Sequence, residues 1–156
     1  MKETLRMTSL FEKLYNGSPW IDVNLYDTLS PLSAAQAADR VVPQLNTIWE
    51  IVNHLISWRE NVLQRIQGKV ISTPDHNYFK PVNNTSAAAW KKTLAQLATS
   101  QENWQQLLQT YPKADLEKIY PNNQMNYYEH IQGILQHDAY HLGQIVLLAK
   151  LVKQKL

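Results

Sequence analysis

Hydrophobic residues recur along most of this chain at intervals of three and four, the spacing that places side chains on one face of an α-helix. The clearest stripe lies before Gly68, and glycine is common just after the end of a helix. This stripe consists of Ile48, Val52, Leu55, Val62 and Ile66. The pattern predicts a long amphipathic helix, the second of the chain.

Two further stripes predict helices before and after this segment. The first helix is predicted over about residues 4–16, before Gly17-Ser18-Pro19, and the third begins at Thr85 or Ser86 and ends at Pro112. The first stripe contains Leu5, Leu10, Phe11, Leu14 and Tyr15. The third contains Trp90, Leu94, Leu97, Trp104, Leu108 and Tyr111, interrupted by the polar Gln101.

A fourth helix is predicted over about residues 125–152, where only Gly133 and Gly143 lower the helix propensity. No segment has the sustained alternation of a strand. Four amphipathic helices of this length predict an all-α fold, a four-helix bundle. The whole chain, residues 1–156, is predicted to be a single domain.

The long connections are predicted after the first and second helices. Residues 20–30 are expected to form a loop, and Ser33 is expected to cap a short helical piece over residues 34–40. Residues 69–84 contain two prolines and several turn-forming residues, so they predict a second long connection. One short turn is expected within residues 113–120.

Composition argues against two classes of partner. The net charge is only +2 and lysines are spread along the chain, whereas nucleic-acid binding needs a concentrated basic surface. The apolar run at residues 145–149 is far shorter than the roughly 20 residues that span a bilayer, and the N-terminus lacks the apolar core of a signal peptide. We therefore expect a cytoplasmic protein with no nucleic-acid or membrane partner.

The candidate chemistry lies in the fourth helix, where His137 and His141 are four residues apart. Such residues share a helix face, with Cβ atoms about 5–6 Å apart, so both imidazoles can reach one divalent cation. On the second helix, His54 lies at the edge of the buried face, and Glu50 lies one turn before it. Metal sites in bundles are built from inward-facing side chains on facing helices.

Taken alone, these residues leave alternatives open. His54 is also consistent with a hydrogen-bonded core histidine, and the His137–His141 pair with a solvated helix face. Glu50 is either an orienting group or general base beside a metal, or a carboxylate on the helix surface. Gln144, one turn after His141, is a candidate for hydrogen bonding to a ligand or substrate.

Three other polar residues have weaker connections to this site. Asp138 is expected to make a contact on the helix face or a bond across the bundle. His130 lies two turns, roughly 10 Å, from His137, so it is not expected to bind the same ion but could shape the mouth of the cavity. His76 lies in the long connection and is expected to be exposed.

The chain resembles the DinB/YfiT-like superfamily of metal-dependent four-helix-bundle proteins from about residue 10 to residue 153. The resemblance rests on IWEIVNHLISWRENVLQRIQG at residues 48–68 and HDAYHLGQIVLLAK at residues 137–150, and includes Ala89-Trp90 and the SPW that ends at Trp20. It implies a homodimer and one divalent metal held by three histidines. Carried onto this sequence, those ligands are His54, His137 and His141.

The resemblance leaves the reaction open, because relatives include S-transferases that use low-molecular-weight thiols, a thiol-dependent isomerase and hydrolases. Three neutral imidazoles leave a bound cation with an open position, as in catalytic metal sites. Such a position holds either an acidified water or a thiolate. The chain has no cysteine, so any thiol must come from a cosubstrate. We expect zinc or nickel and a transferase or hydrolase acting on a small molecule; the alternative is a non-catalytic metal-binding or stress-response bundle.

Overall fold

The computed structural model describes residues 2–154, so Met1 and residues 155–156 of the predicted domain lie outside the described residues. Within residues 2–154 the chain forms α-helices and no β-strand, apart from an isolated bridge between Ile119 and Asn126. The helices are α1 (Glu3–Asn16), α2 (Leu25–Leu29), α3 (Ala34–Ala38), α4 (Ile48–Ile66), α5 (Ala87–Thr110) and α6 (Tyr127–Gln154), with a 3₁₀ helix at Lys113–Glu117. The prediction of an all-α four-helix bundle is confirmed.

The four long helices surround one apolar core. Helix α4 packs against α5 and α6, and α1 packs against the same two helices. At the centre, Phe11 of α1 and Trp104 of α5 are fully buried, and their rings stack with centroids 4.8 Å apart. The contact between α4 and α6 is the one that positions the site, because the candidate ligands are divided between these two helices.

Side-chain caps fix where several helices begin. Thr47 Oγ1 accepts from the Glu50 amide at 3.1 Å, and Glu50 Oε2 accepts from the Thr47 amide at 2.8 Å, so α4 starts with a complete capping box. Ser33 caps α3 in the same way, with Gln36 as its partner, as the sequence predicted for Ser33. Ser86 caps α5, which agrees with the predicted start of the third helix.

The predicted loop over residues 20–30 is wrong in its second half, which forms α2. Asn24 Oδ1 accepts from the Asp27 amide at 2.8 Å, and Leu25 and Leu29 are buried. The cap and the two buried leucines together stabilise a helix too short to display a periodic pattern. Helix α3 is also shorter than predicted, since the backbone leaves the helical region at Asp39.

Two of the long helices, α1 and α6, differ in detail from their predictions. In α1 the buried residues are Thr4, Met7, Phe11 and Leu14. Leu5 and Leu10, which the stripe included, are 38% and 47% exposed. Helix α6 starts at Tyr127 because Asn126 Oδ1 accepts from the Glu129 amide at 2.9 Å.

None of the helices within residues 2–154 is both long and apolar enough to cross a membrane.

Candidate metal centre

The packing of α4 on α6 brings His54, His137 and His141 together. One ring nitrogen from each lies within 4.8 Å of the other two, and His54 Nε2 is 2.9 Å from His137 Nε2. His54 and His141 are buried, and His137 is partly exposed. The three histidines that the resemblance implied as ligands therefore form one cluster between α4 and α6.

Hydrogen bonds fix the orientation of two of the three rings. His54 Nδ1 lies 2.7 Å from the Asn77 carbonyl oxygen, and His141 Nδ1 lies 2.8 Å from Gln144 Oε1. Both partners are oxygen acceptors, so Nδ1 carries the proton in each ring. Nε2 of His54 and of His141 then carries the lone pair with which an imidazole binds a cation.

His137 is held differently from the other two. Its Nδ1 is buried without a hydrogen-bond partner and lies 3.9 Å from Asp138 Oδ1, which is also buried without one. Because His54 Nε2 carries a lone pair, the 2.9 Å contact requires His137 to donate from Nε2. A cation bound by both Nε2 atoms would shift this proton to His137 Nδ1, on the side of the Asp138 carboxylate.

Burial keeps two of the rings in the form that binds metal. The pKa of His54 is lowered from 6.5 to about 4, chiefly by burial and to a smaller extent by the nearby His137 and His141, against the opposing bond to Asn77. Burial also lowers the pKa of His141, opposed by the bond to Gln144. Both imidazoles are therefore neutral at pH 7, as metal coordination requires.

The cluster fits a divalent cation in both size and donor type. Nitrogens bound to zinc at 2.0–2.1 Å in a tetrahedral site lie about 3.4 Å apart. The His54–His137 separation is 2.9 Å and no separation exceeds 4.8 Å, so the first must lengthen by about 0.5 Å and the others shorten by at most about 1.4 Å. Three neutral imidazoles suit zinc, nickel, copper and iron.

The connection between α4 and α5 forms one wall of the site. Asn77 and Tyr78 have φ values of 47° and 61°, in the left-handed region. This turn directs the Asn77 carbonyl to His54, while Asn77 Oδ1 accepts from Trp58 Nε1 at 2.9 Å. The Phe79 ring stacks on His54, with centroids 3.9 Å apart and planes 8° apart.

The same wall is fixed to α4 at a second point, where Asn61 Nδ2 donates to the Tyr78 hydroxyl at 2.6 Å. No periodic pattern marks these contacts in the sequence. The sequence indicates this turn only by an asparagine, Asn77, in a segment between two prolines. Asparagine adopts the left-handed region more readily than most residues.

A cavity of about 420 Å³ opens over the histidines. We call it the metal cavity; it is lined by Asn46, His54, Trp58, Asn77, Phe79, His137, Tyr140, His141 and Gln144. Gln144, predicted as a catalytic candidate, thus lines the cavity and is hydrogen-bonded to His141. The open side of the cluster faces this space, so a small molecule has access to a bound cation.

Glu50 is not among the residues that line this cavity. Its carboxylate accepts from the Thr47 amide and forms an ion pair with Arg40, whose Nη2 lies 2.6 Å and 2.8 Å from the two oxygens. These contacts give Glu50 a structural role at the start of α4. Its predicted role as a base or orienting group stays a prediction, which the contacts do not favour.

Asp138 makes the bond across the bundle that was one of its two expected roles. Its Oδ2 accepts from Arg59 Nε at 2.8 Å, and neither side chain has exposed surface. Arg59 also donates to Gln101 Oε1 at 3.2 Å, which explains the polar residue in the α5 stripe. Because Asp138 directly follows His137, this buried ion pair, the charged centre of the core, lies next to a candidate metal ligand.

The remaining two histidines lie away from the cluster. His130 is buried against Tyr120, with ring centroids 5.1 Å apart, and does not line the metal cavity, so the expectation that it shapes the cavity mouth is wrong. Helix α6 directs its ring toward the segment that follows the 3₁₀ helix, where Nε2 is 3.4 Å from Asn123 Oδ1. His76 is exposed, as predicted.

Comparison with protein families decides the assignment. The family model described as DinB superfamily matches residues 23–145, which include all three clustered histidines. The chain belongs to the DinB superfamily. Searches of the curated proteins and of the solved structures found no match. In this DinB superfamily protein, His54, His137 and His141 could hold a metal ion.

Proposed function

We propose that this DinB superfamily protein is a metal-dependent enzyme that transfers a low-molecular-weight thiol, or water, to a small electrophilic molecule. The observation that carries the proposal is the three-histidine cluster with its open side facing a cavity of about 420 Å³. A closed structural zinc site has four protein ligands, whereas three imidazoles leave a position for a reactant. Zinc or nickel suits this donor set.

In this proposal, three histidines bind the cation and two neighbouring residues orient two of the rings. His54, His137 and His141 supply three nitrogens, and Asn77 and Gln144 orient two of these rings through their Nδ1 protons. A bound divalent cation would hold a thiol as thiolate or lower the pKa of a water to about 7.

The cavity wall is suited to excluding water from one side of the reaction. Phe79 covers one face of the His54 ring, and Trp58 lies 6.0 Å from His137 between ring centroids. Tyr140 is 66% exposed and lines the same cavity, so its hydroxyl is accessible to a bound substrate.

The second candidate function is a bundle that binds metal without turnover. Assay of zinc- and nickel-loaded, tag-free protein separates the two. Monochlorobimane, a thiol-reactive electrophile, is offered with and without cysteine, glutathione or another small thiol, and loss of both reactants is followed. We expect the wild type and His76→Ala to consume both reactants in a metal-dependent manner. We expect His137→Ala to lose this activity. Consumption equal to the buffer rate with every thiol, metal and electrophile tried would favour the non-catalytic function.

A further inference from the structure

A second cavity, of about 540 Å³, adjoins the metal cavity. Its aliphatic lining consists of Leu45, Ile51, Leu147, Leu148 and Leu151. We call it the apolar cavity. Its volume is within the range of about 300–1,000 Å³ that is usual for small-molecule sites.

The two cavities share part of their lining. Asn46 and Gln144 line both of them, and Gln144 is also the partner of the candidate ligand His141. A molecule that spans this boundary would have one end beside the histidine cluster and the other among leucines. The position of Gln144 therefore places the apolar cavity next to the reacting end of a substrate.

The apolar cavity has a buried floor and exposed walls. Ile51 and Leu148 are 3% and 5% exposed and belong to the core, whereas Leu147 and Leu151 are 64% and 41% exposed. The exposed leucines are one turn apart on α6, so they form one continuous apolar surface. Contact with an aliphatic group would remove this surface from water, which is favourable.

We propose that the substrate is an amphiphile, with a polar electrophilic or metal-binding head in the metal cavity and an aliphatic tail in the apolar cavity. This inference rests on the proposed function. On α6 the lining runs from Gln144 to Gln154, and its last apolar residue is Leu151. From Gln144 to Leu151 the helix rises about 10 Å, the length of an extended chain of about eight carbons. The occupant is a small molecule because Asn46 and Gln144, in the lining of the apolar cavity, also line the cavity over the histidines.

Straight-chain alkyl hydroxamic acids test this directly, because the head chelates a metal and the tail length can be varied. The affinity of zinc-loaded, tag-free protein for the series with two, four, six and eight carbons is measured by calorimetry. Burial of a methylene group strengthens binding by about two- to fourfold. The proposal expects this gain for each added methylene up to about eight carbons.

Two variants and one control locate the tail. The ratio of the affinity for the eight-carbon compound to that for the two-carbon compound should be at least tenfold smaller in Leu147→Ser and in Leu151→Ser than in wild type. The affinity of each variant for acetohydroxamic acid, the two-carbon compound, should stay within twofold of wild type. Leu5→Ser is the matched control, because Leu5 is also a partly exposed helical leucine, at 38%, and it does not line the apolar cavity. It should leave the whole series unchanged.

Each contrary result has a distinct meaning. Tight binding of acetohydroxamic acid with no dependence on chain length would overturn the inference and leave the proposed function standing. A flat series together with a dimer that Leu147→Ser dissociates, seen by sedimentation, would show instead that a second copy covers the leucines. Absence of binding by every hydroxamate, with zinc present at one ion per chain, would overturn both the inference and the open metal position on which it rests.

Discussion

The Arg59 guanidinium and the Asp138 carboxylate form an ion pair at 2.8 Å in which neither side chain has exposed surface. Arg59 also donates to Ser100 and Gln101 on α5, and its guanidinium lies 5.9 Å from the Phe11 ring centroid on α1. All four long helices therefore meet at this arginine. Asp138 follows His137 directly, so the charged centre of the core adjoins the candidate metal ligands.

Replacing Arg59 should strongly destabilise the bundle. Arg59→Met leaves the Asp138 carboxylate buried and unpaired, which we expect to lower the free energy of unfolding by about 3–5 kcal/mol. Urea denaturation of metal-free protein measures this loss. Arg6→Met removes an exposed ion pair with Glu3 and should cost less than about 1 kcal/mol.

The double variant Arg59→Met, Asp138→Leu should recover part of the loss, because no unpaired charge then remains buried. It also provides a measurement if Arg59→Met alone does not fold. A double variant no more stable than Arg59→Met would contradict the view that the unpaired carboxylate causes the loss.

Gln144 should strengthen metal binding through His141. Gln144→Leu removes the acceptor for the Nδ1 proton, and loss of such a partner typically weakens metal affinity about 10–100-fold. Gln144→Glu keeps an acceptor oxygen and should stay near wild type. Competition with a chromophoric zinc chelator measures both affinities. The exposed Gln136, also on α6, supplies the control Gln136→Leu, and an equal affinity in Gln144→Leu and this control would contradict the role of Gln144.

His54 should make the metal-free protein sensitive to mild acid. Its pKa is lowered from 6.5 to about 4 in the folded chain, chiefly by burial, so the unfolded chain takes up the proton first as the pH falls. The stability contributed by neutral His54 is present above pH 6.5 and is lost between about pH 6.5 and 4.

His54→Gln should therefore flatten the fall in unfolding free energy over this pH range, measured by urea denaturation at half-unit steps. The control Gln136→Leu, at an exposed position on α6, should retain the wild-type slope. Identical slopes in wild type and His54→Gln would show that the buried imidazole is not the source of the acid sensitivity.

The helices and the histidine pair were predictable because their signals are local. Stripes at three- and four-residue intervals predicted the first three long helices, and helix propensity predicted the fourth. The spacing of His137 and His141 predicted a shared helix face. Helix α2 was missed because its stability comes from the Asn24 cap and two buried leucines rather than from a repeated pattern.

The remainder of the site depends on contacts between residues distant in sequence. Asn77 and Phe79 reach His54 only after the long connection folds back through two left-handed residues. Arg59 and Asp138 resemble ordinary polar positions on their helices, and only the packing of α4 on α6 makes them a buried pair. Neither relationship has a spacing that sequence periodicity can detect.

The metal content of tag-free protein, measured by mass spectrometry after purification without nickel, tests the metal centre most directly. We expect about one zinc or nickel ion per chain in wild type and in the control His76→Ala, and a loss of most of this metal in His54→Ala. A His54→Ala protein that folds like wild type and retains one ion per chain would contradict the three-histidine site.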